Sequence, residues 1–240
     1  MRKTVSFGKT HIGLKRRENQ DSIIIDKELD LYAVADGMGG HKGGAIASKL
    51  AIEQLQKVIK ESLEDKNAQP ETILSQAFQE ANTQVYEKSQ ETIETEGMGT
   101  TLVAALVWKN KIFFANVGDS RAYLSRDLQL WRITEDHSIL NNQIKKGLID
   151  EKKASLLVDT NIITRSIGFT PNVEVDIFQK DLQDNDLFIL CSDGLVEMMD
   201  DEKISHLSHS YSPDVLVDRL IDQSLEAGGN DNISVIVIIP

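Results

Sequence analysis

The chain has 240 residues, 40% of them apolar and 27% charged, with a formal net charge of −12. That composition supports a sizeable core without disulfides or a structural metal, and it excludes disordered, collagenous and mini-protein scaffolds. The excess of acid argues against duplex nucleic acid or an anionic membrane as the main partner, because both require a cationic face. The longest apolar run, residues 102–108, falls well short of the roughly 18 residues of a membrane-spanning helix.

Residues 1–20 carry Arg2, Lys3, Lys9, Lys15, Arg16 and Arg17 against Glu18 alone, a small basic patch on an acidic body. No apolar stretch follows it, so it does not read as a secretory signal. Apolar stretches predict strands at 22–25 and 31–35. Helical periodicity then covers 44–63, through Ala47, Leu50, Ala51, Leu55, Val58 and Ile59, and 70–88, where Pro70 suits a first turn. Further strands are predicted at 101–108, 112–117 and 121–124. The stretch 137–167 is polar and reads as an excursion from the core, with short helical turns at most. A strand at 187–191 follows. A helix then runs from Ser212 and Pro213 to the stop at Gly228 and Gly229, before a last strand at 233–239. Strands and helices do not alternate strictly, which points to an α+β fold rather than a doubly wound parallel sheet. No linker or repeat interrupts the chain, so it reads as one domain. The single cysteine, Cys191, allows no intramolecular disulfide and agrees with a reducing cytoplasm.

The placement of aspartates carries the functional signal. Strand 31–35 ends in Asp36 and Gly37, and strand 187–191 runs through Ser192 into Asp193 and Gly194. Asp119 follows Gly118 between two strands, and Asp231 follows Gly228, Gly229 and Asn230 just before the last one. Each alone reads as a turn residue, since Asp-Gly is a favoured turn. Four together suggest carboxylates that converge and would repel one another without a cation among them. Hard oxygen donors without Cys or His clusters select Mg²⁺ or Mn²⁺. The segment Lys15, Arg16, Arg17, Glu18, Asn19, Gln20, Asp21 sets a guanidinium, suited to a two-pronged grip on phosphate, beside another acid. It reads equally as a solvated face. Adjacent residues on an extended chain point to opposite sides, so one of the two arginines is expected to face the site.

Several chemistries are excluded. A cysteine phosphatase needs Arg six residues after its cysteine, where Glu197 stands. A DxDG phosphoenzyme needs Asp two residues before Asp36 or Asp193, where Val34 and Cys191 stand. Lys42 occupies the last glycine of a GxGxxG loop, and no GxxxxGK[ST] occurs. A metal site with an arginine and no protein nucleophile favours activated water attacking phosphorus.

These residues resemble the type 2C, metal-dependent Ser/Thr protein phosphatase family, in its compact bacterial branch. The matching motifs run in family order: RRENQD at 16–21, VADGMGGH at 34–41, GMGTT at 97–101, VGDSR at 117–121, DHS at 136–138, ITRSIG at 163–168, CSDGL at 191–195 and GGNDNISV at 228–235. The resemblance implies a four-layer α/β/β/α sandwich with two central antiparallel β-sheets. It implies two Mn²⁺ or Mg²⁺ ions per chain, with a third, weaker site. Carried over residue by residue, Asp36 bridges the metals, Gly37 offers its carbonyl, Asp193 and Asp231 complete the set, and Asp119 serves the third metal. Asp21 orders water around the metals and Arg16 grips the substrate phosphate. His41 is either the acid that protonates the leaving group or a loop histidine without a catalytic role. The excursion at about 141–167 corresponds to a flap subdomain, whose Lys145, Lys146, Lys152 and Lys153 either steer acidic phosphopeptides or are solvated. The implied activity is hydrolysis of phosphoserine and phosphothreonine in substrates of a Ser/Thr protein kinase, by a cytoplasmic monomer that binds neither nucleic acid nor membrane. A metal-poor pseudophosphatase and a hydrolase of small phosphate esters are the alternatives.

Overall fold

The computed structural model describes residues 4–39, 43–65, 67–150 and 162–240. His41, Lys152 and Lys153 lie outside the described residues. In chain order the elements are β1 (Val5–His11), β2 (Asp21–Asp26), β3 (Leu31–Met38), α1 (Gly43–Ser62), α2 (Pro70–Ser89), β4 (Gly99–Thr100), β5 (Leu102–Trp108), β6 (Lys111–Val117), β7 (Arg121–Arg126), β8 (Gln129–Arg132), α3 (Ile139–Lys145), β9 (Asp176–Asp181), β10 (Leu187–Cys191), α4 (Asp193–Val196), α5 (Asp201–Ser210), α6 (Pro213–Glu226) and β11 (Ile233–Ile239).

One sheet has the order β1-β11-β10-β7-β8. The other has the order β2-β3-β5-β6-β9, with β4 paired to β3. Every strand pair is antiparallel. The two sheets stack face to face, and each is covered on its outer face by a pair of helices. Alternate residues of each central strand therefore enter different cores. Tyr32, Val34, Val103, Ala105 and Phe114 of one sheet meet Phe188, Leu190, Ile236 and Ile238 of the other in the middle layer. The intervening Leu31, Ala33, Ala35, Ala104 and Leu106 face α1 and α2, while Ile189, Cys191, Val235 and Val237 face α5 and α6. Burial on both faces is why these antiparallel strands read as continuous apolar runs rather than as an alternation. Across the middle layer the Phe114 and Phe188 rings stand 5.6 Å apart between centroids, a tilted contact favoured by the ring quadrupoles.

The expected strands and the three expected helices are present. Sequence periodicity missed the short β4 and α4 and the longer β1, β8, β9 and α5. Of the longer four, β8, β9 and α5 are exposed along much of their length, and β1, an edge strand in which only Ser6 is buried, offers little apolar signal. The stop at Gly228 and Gly229 is confirmed by their positive φ of 136° and 52°. Ser212 holds the N-cap position of α6, without a side-chain capping bond. The polar stretch after β8 holds α3, capped by Ser138, whose side chain accepts from the Asn141 amide. Its return leg is not an excursion. Ile163 bridges to Ser138 and Ile167 to Thr100, and Ile167 is fully buried.

Strand register places the aspartates at one end of both sheets. Asp21 opens β2 opposite Asp36 near the end of β3. Leu102 at the start of β5 faces Val117 at the end of β6. Cys191 at the end of β10 faces Arg121 at the start of β7 and Val235 near the start of β11.

Candidate active site and metal centre

The common end of the sheets opens into a cavity of about 560 Å³ lined by Arg16, Arg17, Gln20, Asp36, Gly37, Asp193 and Asp231, among others. Each wall follows from local structure. Asp36 is fixed through its backbone, whose N–H donates to the Thr101 hydroxyl at 3.0 Å and whose carbonyl accepts from the Thr101 amide at 2.8 Å. Gly37 admits the first turn of α1, because a Cβ there would stand 2.1 Å from the Gly44 carbonyl oxygen. Asp193 is the first residue of α4, where the helix N-terminus favours a negative charge. Gly194 behind it admits the Asn232 carbonyl, 2.0 Å from where a Cβ would lie. That close approach brings the Asp231 loop against Asp193.

Asp21 is buried, and one of its carboxylate oxygens accepts from the Ser192 hydroxyl at 2.8 Å and the Ser234 hydroxyl at 2.6 Å. These two serines tie it to the ends of β10 and β11. Asp119 is also buried, in the turn between β6 and β7. Asp21, Asp119 and Asp193 each keep one buried carboxylate oxygen, Oδ1, without a protein partner. Three such oxygens within one site ask for a ligand, since an unpartnered buried acceptor is costly.

The electrostatics agree. Burial, then the neighbouring Asp193 and Asp21, pushes the Asp36 carboxyl well above the usual carboxylate range. Burial and the charge of Asp119 do the same to Asp193. Burial pushes Asp21 up to about 6, and burial with Asp136 pushes Asp119 up to about 7. Carboxyls that resist ionisation because they are buried, and then because they face one another, are the setting a divalent cation relieves. Among the described residues no three His, Cys, Asp or Glu side chains close on a point as a cage. A cation held here would keep much of its water, as Mg²⁺ does in sites with few carboxylates. The donor set of hard oxygens therefore fits Mn²⁺ or Mg²⁺ rather than zinc.

Arg16 bonds Asp231 through Nη2 and Oδ2. The side chain remains 56% exposed, so its hold is exchangeable. Arg16 and Arg17 lie in an irregular loop rather than a strand, and both line the cavity. This loop therefore offers no extended-chain alternation to separate the two, and it is Arg16 that bonds an acid of the cluster. Lys145 pairs with Glu135. Cys191 is fully buried and its thiol is pushed up to about 12, which agrees with the exclusion of thiolate chemistry.

Sequence reasoning assigned no role to Thr101, His137 or Arg121, although all three stand in recognised motifs. The His137 ring accepts the Gly118 N–H at Nδ1, 3.0 Å away, while its own backbone N–H donates to the Gly118 carbonyl at 2.9 Å. With Nδ1 an acceptor, the proton sits on Nε2, 3.2 Å from Asp176. Burial lowers the His137 pKa, consistent with the neutral ring. Arg121 grips Asp136 with two parallel bonds, Nε to Oδ1 at 3.0 Å and Nη2 to Oδ2 at 2.7 Å. Both contacts brace the loop that carries Asp119. The signal for them was the polar residue buried beside a glycine turn, which a sequence does not display.

A protein phosphatase 2C family model matches residues 7–228. The chain is 36% identical over 235 residues to the serine/threonine phosphatase Stp of Listeria welshimeri, covering 96% of this chain and 93% of that one. The crystal structure of the serine/threonine phosphatase Stp1 from Staphylococcus aureus superposes with a TM-score of 0.91 at 34% identity, covering 98% of this chain and 94% of that one. The catalytic domain of the serine/threonine protein phosphatase PstP, in complex with two manganese ions, superposes at 0.88 with 31% identity, covering 98% and 97%. With the family model spanning most of the sequence and relatives matched almost end to end, this chain belongs to the protein phosphatase 2C family.

Proposed function

We infer that the chain is a metal-dependent phosphoprotein phosphatase that hydrolyses phosphoserine and phosphothreonine. The observation that carries this is the convergence of Asp21, Asp36, Asp119, Asp193 and Asp231 on one end of the sandwich, three of them with buried oxygens left unpartnered, beside an exchangeable arginine. Asp36, the Gly37 carbonyl, Asp193 and Asp231 would hold two Mn²⁺ or Mg²⁺ ions, with Asp119 serving a third, weaker one. Bound there, the cations would supply Lewis-acid activation of water and of the phosphoryl group.

The protein's own groups do the rest. Arg16 leaves Asp231 to take two phosphate oxygens, exchanging one charged bond for a bidentate one. Asp21, held by Ser192 and Ser234, keeps its second oxygen as an acceptor that orders water at the cavity floor. His41 is the candidate donor of a proton to the departing serine or threonine oxygen. The chain is a single catalytic domain in this reading; of the flap expected at about 141–167, residues 151–161 lie outside the described residues, and Ile163 on its return leg lines the cavity. The partners are phosphorylated proteins made by a Ser/Thr kinase, met by a monomer. No helix among the described residues is long and apolar enough to cross a membrane, and the one cysteine is free and buried. A cytoplasmic setting belongs to this reading.

The test is turnover at saturating Mn²⁺ of a phosphothreonine peptide against p-nitrophenyl phosphate and nucleotides. Preference for the peptide is expected. Preference for a small ester would move the assignment to that substrate class, and no turnover of any would leave a phosphoprotein-binding pseudophosphatase.

A further inference from the structure

The GMGTT motif at residues 97–101 has no role in the chemistry above, yet its last residue touches both halves of the carboxylate cluster. Thr101 is 1% exposed. Its amide donates to the Asp36 carbonyl at 2.8 Å, and its hydroxyl accepts from the Asp36 amide at 3.0 Å. Both polar groups of the Asp36 backbone thus reach Thr101, and the carbonyl also accepts from the Thr100 hydroxyl at 2.8 Å. The same hydroxyl lies 2.7 Å from the Ser120 hydroxyl, and Ser120, fully buried, follows Asp119 directly. The Thr101 methyl completes the arrangement. It stands 2.7 Å from where a Gly118 Cβ would lie, so only glycine, at a φ of +111°, lets the Asp119 turn close against it.

We propose that Thr101 is a positioning residue for phosphoryl hydrolysis. Its hydroxyl, shared between the Asp36 amide and Ser120, sets the spacing between the Asp36 and Asp119 carboxylates. Asp36 lies near the end of β3, and Asp119 lies in the turn by which the chain leaves β6, two strands away in the same sheet, for β7 of the other. Core packing beneath fixes the strands but leaves the spacing between the end of β3 and the turn beyond β6 to short polar links. Thr101 is the residue that reaches both. A misplacement of about 1 Å in such a cluster is enough to lower turnover severely. The proposal rests on reading Asp36 and Asp119 as metal-binding carboxylates.

The test compares Thr101→Val, Thr101→Ser and Asp36→Asn by Mn²⁺ calorimetry and by phosphopeptide kinetics. Valine keeps the shape and the methyl packing but strands the Asp36 amide and the Ser120 hydroxyl. For Thr101→Val we expect kcat to fall about tenfold or more with KM within about twofold, and Mn²⁺ affinity to weaken about fivefold. Thr101→Ser should stay within about threefold on every measure, since the hydroxyl survives. Wild-type kcat and Mn²⁺ affinity in Thr101→Val, with only a lower melting temperature, would overturn the proposal and leave Thr101 a structural residue. Asp36→Asn separates the two readings. If it keeps Mn²⁺ affinity and turnover, the carboxylate assignment itself fails, whatever Thr101→Val shows. Should Thr101→Val not fold, Ser120→Ala takes its place, because it cuts the link while leaving the Asp36 bonds intact. It should raise the Mn²⁺ concentration for half-maximal turnover about threefold, and an unchanged titration would count against the proposal.

Discussion

Replacing Asp119 by Asn isolates charge from shape at a buried position, and the structure sets the size of the effect. The carboxyl is 7% exposed and is pushed from 3.8 up to about 7, by burial first and by Asp136 second. A folded-state pKa raised above the unfolded value means that the stability Asp119 contributes is fully present below about pH 4. It is lost as pH rises through 7. At pH 8 the metal-free protein therefore carries a penalty on the order of 4 kcal/mol from this one group, against roughly 1 to 2 kcal/mol at pH 5. Asn removes the titration and keeps the turn. In EDTA, the stability difference between Asp119→Asn and wild type should grow in favour of the variant by about 2 to 3 kcal/mol between pH 5 and pH 8. For a chain of this size that is roughly 5–10 °C in Tm. Comparing two pH values cancels whatever the amide itself adds or removes. With Mn²⁺ present the wild type should recover, while the variant gains less and loses most of its phosphopeptide turnover. Melting curves with the same offset at both pH values would refute the buried-charge reasoning. Normal turnover across a Mn²⁺ titration would reduce Asp119 to a turn residue.

Asp36→Ala and Asp193→Ala should each abolish turnover while leaving a folded protein, because each removes a carboxylate from a mutually repelling set rather than an apolar contact; circular dichroism with a Mn²⁺ titration checks both halves. Arg16→Ala should raise KM by the 1.5–3 kcal/mol of a charged hydrogen bond, roughly 10- to 150-fold. Arg17→Ala should do less, and the reverse ranking in steady-state kinetics would transfer the phosphate grip to Arg17. Gly194→Ala, whose Cβ would meet the Asn232 carbonyl at 2.0 Å, should destabilise by about 1–3 kcal/mol as an overpacked site. It should also weaken Mn²⁺ binding by separating Asp193 from Asp231, and a stable variant with native affinity would show that the contact is not needed.

The parts of the fold legible in the sequence are those buried on both faces. Strands 31–35, 102–108, 187–191 and 233–239 are continuous apolar runs because each is sandwiched between helices and the opposite sheet. Strands β1, β8 and β9 sit at sheet edges, where half or more of the side chains meet water and composition carries no period. The helix α5 was missed for a related reason. Only Ile204, Leu207 and Ser208 of its ten residues are buried, too few to show a stripe. Edge and cover elements are specified by what they lie against, and that partner is distant in the chain.

The site was legible one residue at a time but not as pairs. Asp-Gly steps at strand ends were visible in sequence, and turn preference alone would account for them. What the sequence does not show is that these glycines also let a second segment in. Gly37 admits the Gly44 backbone of α1 and Gly194 the Asn232 carbonyl, while Gly118, at a φ of +111°, admits the Thr101 side chain. Neither Gly37 nor Gly194 has a positive φ, so conformational freedom does not explain them. Close approach does. Each glycine sits beside a carboxylate, and each contact joins two elements: β3 to the α1 that follows it, the β6–β7 turn to the residue between β4 and β5, and, over the longest separation, α4 to the β11 loop. The carboxylates repel one another and would spread if their mounts were loose. Backbone contact at Gly37 and Gly194, with no side chain to flex between, is a stiff mount, so glycine-to-alanine changes at these two positions should cost metal affinity before they cost the fold.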